Sequence, residues 1–258
     1  MNNRIQTLFK AKKENILSLY FTAGFPNLND TLTILKHLEE SDVDMIEIGF
    51  PYSDPLADGP VIQESSTQAI ENGMTLALLF EQLKTLRNST QKPIILMGYL
   101  NVVLQYGERE FIEKCAEVGV DGIIIPDMPL HYYVSNFKEL CEKNQVSNIL
   151  LVTPETSEER IEQLDRYSSG FIYLVSSNSI TGSTNATSFQ TDYYQRIQNM
   201  NLQNPHLIGF GVHNQKTFET VCQFGSGAII GSAFINHLKE NGTTKESINQ
   251  FVNTILKT

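Results

Sequence analysis

An α/β barrel of eight strand–helix units is the fold the sequence predicts, and three observations predict it. Short apolar runs rich in β-branched residues alternate with helix-periodic segments from end to end, which implies a parallel sheet with right-handed crossovers. The strand-like runs number about eight, enough to close the sheet on itself. The length of 258 residues suits one barrel domain, 1–258, and 41% apolar residues can fill its core. An open doubly wound sheet would call for a Gly-rich nucleotide fingerprint after the first strand, and Thr22-Ala23-Gly24-Phe25-Pro26 is not one. The predicted fold is thus a (β/α)8 TIM barrel with an extra N-terminal helix.

That extra helix lies within Met1 to Asn15, where Ile5, Leu8 and Phe9 recur at helical spacing among Arg4, Lys10, Lys12 and Lys13. A secretory signal would need a continuous apolar stretch instead. Ile16 to Thr22 is the first strand, and Asn29 to Ser41 a helix with Leu32, Ile34, Leu35 and Leu38 as its apolar positions. Val43 to Gly49, short and β-branched, is the second strand. Val61 to Asn72 and Thr75 to Arg87 are two helices parted by Gly73. Strands follow at Pro93–Met97, Gly122–Ile125, Ser147–Val152, Phe171–Val175, His206–Phe210 and Gly227–Ile230. The helices between them are expected at Arg109–Val118, Tyr132–Lys143, Ser157–Tyr167, Gln190–Met200 and Gln215–Phe224. Ala233 to Leu256 is helical with a break near Gly242. The loops Phe50 to Pro60 and Ser176 to Ser188 exceed the usual connection and fall at the C-terminal face, where barrel active sites sit.

Composition narrows the function class. A formal net charge of -10 argues against nucleic acid or an anionic membrane as partner. No apolar run approaches the roughly 18 residues of a membrane span. Cys115, Cys141 and Cys222 lack C-x-x-C spacing and lie in helix-like stretches, which fits reduced thiols in a cytoplasmic protein. His37, His131, His206, His213 and His237 form no H-x-x-x-H or H-E-x-x-H pair, so no metal site is expected.

The chemistry concentrates around the second strand. Glu47 interrupts an apolar strand, and burying an unpaired carboxylate costs several kcal/mol. Pro51 and Pro55 end the regular structure, and Asp54 and Asp58 follow in the loop with Gly59 and Pro60. Two carboxylates in different environments are what acid/base chemistry at neutral pH requires. A half-exposed strand with Glu47 in water and a plain Asp/Pro/Gly turn is the competing reading. In a barrel, alternation sends Ile46 and Ile48 outward and Glu47 inward with Met45 and Gly49. Tyr173 is placed likewise, as a substrate contact or as a core aromatic with a bonded hydroxyl. At the other side of the mouth, Ile180-Thr181-Gly182-Ser183, Gly209-Phe210-Gly211-Val212 and Gly231-Ser232-Ala233 follow the last three strands. Glycines let backbone N–H groups approach an anion, and Gly231-Ser232 opens a helix. A phosphate held by amides and hydroxyls is the expectation, since these stretches contain no basic residue.

On these residues the chain resembles the tryptophan synthase α subunit family over nearly its whole length. The most specific part is Glu47-Ile48-Gly49-Phe50-Pro51-Tyr52-Ser53-Asp54-Pro55-Leu56-Ala57-Asp58-Gly59-Pro60, very similar to the family signature. Phe21-Thr22-Ala23-Gly24, Asn72-Gly73-Met74-Thr75, Pro126-Asp127-Met128-Pro129, Thr181-Gly182, Gly209-Phe210-Gly211 and Gly231-Ser232 support it. The resemblance implies a lyase reaction: retro-aldol cleavage of indole-3-glycerol phosphate to indole and glyceraldehyde 3-phosphate, in tryptophan biosynthesis. It implies Glu47 as general acid/base and Asp58 as the carboxylate on the indole N–H. Tyr173 is implied near the indole, with Tyr20 and Leu96 as further wall contacts, and Thr181, Gly182, Gly211, Gly231 and Ser232 as substrate and phosphate binders. It also implies a partner, the β subunit, in an α2β2 heterotetramer. Pyridoxal phosphate belongs to that partner, and no cofactor is expected in this chain. Ser53 to Pro60, Asn101 and Asp127 are the implied contact surface. One loop departs: Ser177 and Ser179 stand where the family commonly has Arg and Gly, which touches closure of the loop rather than the chemistry.

Two other functions compete. A phosphosugar isomerase or epimerase would keep the phosphate loops but want a second acid/base residue or a metal from another strand. A binding barrel without turnover would draw on Ser177 and Ser179 alone, against intact Glu47 and Asp58.

Overall fold

The computed structural model describes residues 3–176, 184–209 and 211–256, the side chains of 184–190 excepted. Its strands are β1 (Ile16–Thr22), β2 (Met45–Gly49), β3 (Ile94–Met97), β4 (Gly122–Ile124), β5 (Ser147–Asn148), β6 (Leu150–Val152), β7 (Ile172–Val175), β8 (His206–Gly209) and β9 (Gly227–Ile230). They form one sheet in the order β5-β4-β3-β2-β1-β9-β8-β7-β6, and every pairing is parallel. The two edges of that order, β5 and β6, are consecutive in sequence with Ile149 between them. β5 pairs with β4, and β6 pairs with β7. The run expected as one strand over Ser147–Val152 therefore changes neighbour half-way and brings the sheet's edges together. Barrel strands tilt against the axis, so the start and end of a short strand can face different neighbours.

The helices fall largely where periodicity places them, with instructive exceptions. Pro60 opens Pro60–Glu71 at its first position, where a missing N–H costs nothing. Leu100–Tyr106 is a helix that the sequence reading lacks; it is only 7 residues long, and Val103 is its one buried residue. The expected Thr75–Arg87 divides into Leu76–Leu83 and Leu86–Ser89. The expected Tyr132–Lys143 runs as Leu130–Tyr132, a π-helical Tyr133–Phe137 and Lys138–Asn144. The break near Gly242 separates Ser232–Asn241 from Lys245–Leu256.

The N-terminal helix, Arg4–Ala11, packs at the barrel end opposite the active face. A capping box on Asn3 starts it, and the Asn3 amide also donates to the Asp121 carbonyl (2.9 Å) and the Ser147 hydroxyl (2.8 Å). The buried carboxylate of Asp121 meets Arg4 at 3.1 Å and Arg87 at 2.5 Å, and Ile5 beside it is fully buried. These contacts fall at the starts of β4 and β5, so the helix closes the bottom of the barrel and leaves the C-terminal mouth open.

Register decides what faces the interior. Tyr20 lies opposite Glu47, which lies opposite Ile95, and Thr22, Gly49 and Met97 form the next row. Leu96 pairs with Ile48 on the other face of the sheet and is fully buried there. Gly49 and Gly209 leave room inside: a Cβ at Gly49 would overlap the Tyr20 hydroxyl, and one at Gly209 the Tyr173 hydroxyl.

Candidate active site

A cavity of about 340 Å³ opens at the C-terminal ends of the strands. Strands β1, β2, β3, β7 and β9 contribute Tyr20, Glu47, Met97, Tyr173 and Ile229 to its wall. The loop after β2 and the helix it enters bring Asp58 and Ile62. The segments after β8 and β9 bring Gly211, Val212, His213, Gly231, Ser232, Ala233 and Asn236.

Glu47 is completely buried. Its Oε1 accepts a 2.9 Å hydrogen bond from the Ser18 hydroxyl, while Oε2 has no partner among the described residues. Burial disfavours the charged carboxylate and pushes its pKa up from 4.5 to about 8, and the Ser18 hydrogen bond offsets only part of that. The residue therefore holds its proton at neutral pH and presents an oxygen to the cavity.

Asp58 is half-buried, and its pKa is raised by burial and pulled back by a hydrogen bond from Tyr99. The Tyr99 hydroxyl donates to Asp58 Oδ2 at 2.9 Å and accepts from the Ala57 N–H at 3.0 Å. One phenol thus ties the loop backbone to the carboxylate it carries. Tyr52 packs on the Tyr99 ring with centroids 5.1 Å apart. From the following helix, Gln63 donates to the Asp58 carbonyl at 2.9 Å and the Ser66 hydroxyl accepts from the Tyr52 N–H at 3.1 Å. Between these anchors Leu56 is 90% exposed, so the loop is fixed at its roots and open at its tip.

Tyr20 and Tyr173 are buried on opposite walls, and burial with the nearby carboxylates holds both phenols neutral. At the other side of the mouth, Gly211 has φ +76°, in the left-handed region. The helix Ser232–Asn241 begins at Gly231 with no side-chain cap, so its first N–H groups lack the partner a capping side chain would supply.

Seven of the residues singled out from sequence meet in this cavity: Tyr20, Glu47, Asp58, Tyr173, Gly211, Gly231 and Ser232. Leu96 does not; the strand's period of two turns it toward the helices and puts Met97 on the wall instead. Thr181 and Gly182, with Ser177 and Ser179, lie outside the described residues. Sequence reasoning missed Ser18, Met97, Tyr99 and His213. For Ser18 a signal existed, since it shares an inward phase with Tyr20 in an otherwise apolar strand. For Tyr99 none did, because its role depends on a loop 41 residues away.

A family model described as tryptophan synthase alpha chain matches residues 6–257. The chain belongs to the tryptophan synthase alpha chain family. It is 58% identical to the tryptophan synthase alpha chain of Flavobacterium psychrophilum over 99% of this chain and 100% of that one. The Parabacteroides distasonis tryptophan synthase alpha chain is 52% identical, over 98% and 99% of the two chains. Among solved structures, the tryptophan synthase complex of Pyrococcus furiosus superposes with TM-score 0.85 at 32% identity, covering 96% of this chain and 100% of that one. The tryptophan synthase α subunit of Campylobacter jejuni gives TM-score 0.84 at 29% identity, covering 96% and 98%. The chain is accordingly a TIM-barrel lyase of tryptophan biosynthesis that carries out the α reaction, the cleavage of indole-3-glycerol phosphate to indole and glyceraldehyde 3-phosphate. Among the described residues no helix is long and apolar enough to cross a membrane.

Proposed function

We propose that Glu47 and Asp58 perform this cleavage in the 340 Å³ cavity. The indole would lie among Tyr20, Met97 and Tyr173, with its N–H on Asp58, and the phosphate on amides at Gly211, Gly231 and Ser232. Thr181 and Gly182 join the phosphate side by resemblance. Protonated Glu47 donates its proton to indole C3, making the ring an electron sink with positive charge on its nitrogen. Asp58 stabilises that charge as it develops. Glu47, now a carboxylate, takes the proton of the side-chain hydroxyl next to the breaking bond. That oxygen becomes the aldehyde carbonyl, the bond electrons return to the ring, and indole leaves. The proton count closes on Glu47, so the cycle asks no cofactor of this chain.

The observation that carries this reading is Glu47 itself: a fully buried carboxyl with an open Oε2 and a pKa near 8, facing a cavity that holds a second carboxylate. It is a proton donor at neutral pH and becomes a base once it has given the proton away. Glu47→Gln keeps the shape and loses the proton shuttle. Assayed with indole-3-glycerol phosphate, it should lose about 10²–10⁴-fold in turnover while still binding a phosphate ligand. Near-normal turnover would remove Glu47 from the role.

The partner reading is a β subunit carrying pyridoxal phosphate, in an α2β2 assembly. The exposed loop tip at Leu56 and the exposed Asn101 and Asp127 support it as one contact surface. Cys115, Cys141 and Cys222 are free thiols, in keeping with a cytoplasmic setting.

A further inference from the structure

His213 lines the same cavity as Gly211, Gly231 and Ser232, at the end where the phosphate is proposed to lie. Its Nδ1 is 2.8 Å from the carbonyl oxygen of Gly211. A carbonyl only accepts, so Nδ1 carries the hydrogen and Nε2 is the nitrogen left for other contacts. The backbone N–H of His213 donates to the Thr217 hydroxyl at 3.1 Å, and Asn214 caps the helix Gln215–Cys222. The turn is therefore held on both sides, and the ring of the exposed His213 is anchored to it through Nδ1. No Lys or Arg lines the cavity among the described residues, and its other titratable groups are Glu47, Asp58 and the two phenols, Tyr20 and Tyr173. A phosphate monoester entering this site would meet neutral amides and carboxyl groups, with one group able to bring positive charge.

We propose that His213 is a substrate-specificity residue: its imidazolium Nε2–H donates a charge-assisted hydrogen bond to the phosphate and so favours phosphate esters over uncharged analogues. The proposal rests on the phosphate end described under Proposed function. The carbonyl anchor orients the ring, the amides of Gly231 and Ser232 supply directional donors, and His213 supplies the cation. Glu47, whose Oε2 faces the same cavity without a described partner, is the other end that the ligand must reach.

The test uses the full chain with glycerol 3-phosphate as probe. Amide NMR signals of Gly231 and Ser232 report whether phosphate lands there, and titration gives Kd for wild type, His213→Ala and His213→Lys. The expected result is a response of both amides, about tenfold weaker binding in His213→Ala and largely restored binding in His213→Lys, since one charge-assisted hydrogen bond is lost and then replaced by charge. With indole-3-glycerol phosphate the loss in His213→Ala should fall on KM rather than kcat, as for binding felt equally by ground and transition states. Responding amides with unchanged Kd in His213→Ala would overturn the role of His213 and leave the phosphate end standing. Equal weakening in His213→Ala and His213→Lys would overturn the assignment of charge. Silent amides in wild type would remove the phosphate end and His213 with it.

Discussion

Glu47 holds a proton at neutral pH because a fully buried carboxylate with one hydroxyl partner is poorly solvated. That has a consequence for stability. The unfolded chain releases this proton near pH 4.5 and the folded chain near pH 8. Between those values the folded state binds more protons, so Glu47 makes stability fall as pH rises through the window. Glu47→Gln should therefore be more stable than wild type above pH 8, by an amount on the order of a few kcal/mol, with the gap closing toward acid pH. Urea denaturation at several pH values checks it, and a pH-independent gap would contradict it. Asp58→Asn should lower kcat by about 10²-fold with a smaller effect on ligand binding, because the charge it meets develops only toward the transition state. Tyr99→Phe removes the hydroxyl that joins Ala57 to Asp58 and should cost about three- to tenfold in kcat/KM. In the Asp58→Asn background the same change should cost little, and a double-mutant cycle without coupling would make Tyr99 merely structural.

At the level of elements, β2 was the most legible part of the chain. A carboxylate flanked by Ile46 and Ile48 in a β-branched run has only one face to go to once the helices cover the other. Leu96 was expected at the wall only through the family resemblance, and Pro93-Ile94-Ile95-Leu96-Met97 is apolar on both faces, so the strand carries no internal marker of phase. Pairing with β2 supplies the marker, and it selects Met97. Strand β8 offers a sharper test of packing. Gly209→Ala would drive a methyl into the Tyr173 hydroxyl, so activity should fall as Tyr173 is displaced, with a stability loss of about 1–3 kcal/mol. The N-terminal helix depends on Ile5 and the Asp121 cluster. Ile5→Ala should cost about 2–5 kcal/mol in thermal or chemical unfolding and leave KM unchanged, because it acts at the opposite end of the barrel.

For the whole molecule, the loop after β2 stands at the active face with its roots held and the Leu56 side chain in solvent. Ala57 and Asp58 are tied to Tyr99, while Leu56 beside them is 90% exposed. A β subunit packing on the proposed surface Ser53 to Pro60 would cover Leu56 and restrain Asp58, the carboxylate proposed to meet the indole N–H. The sequence departure at Ser177 and Ser179 adds to the expectation of a poorly closed isolated chain, since neither Ser supplies the Arg charge or the Gly freedom common in the family. A coupling of about 1–3 kcal/mol corresponds to roughly 5–150-fold activation. The isolated chain should thus turn over indole-3-glycerol phosphate slowly and accelerate in that range when the cognate β subunit is titrated in. Full activity alone, unchanged by the β subunit, would leave a free-standing indole-releasing lyase.

The alternation of strands and helices, the inward phase of Glu47, the loop bearing Asp58 and the glycines of the mouth are all readable in the chain before it folds. Each is written in a stretch of some fifteen residues or fewer, where periodicity and turn chemistry act locally. Which residues stand beside those groups is set in the folded barrel. Ser18 reaches Glu47 across 29 residues, Tyr99 reaches Asp58 across 41, and His213 joins the turn after β9 at the cavity. The change of neighbour at Ile149 that closes the barrel is of the same kind. Such contacts depend on the registers of several strands at once, and a register is set by packing of the closed sheet rather than by any local pattern. The shift of Glu47 to a pKa near 8 follows from that packing too, since it comes from the water that the assembled barrel excludes.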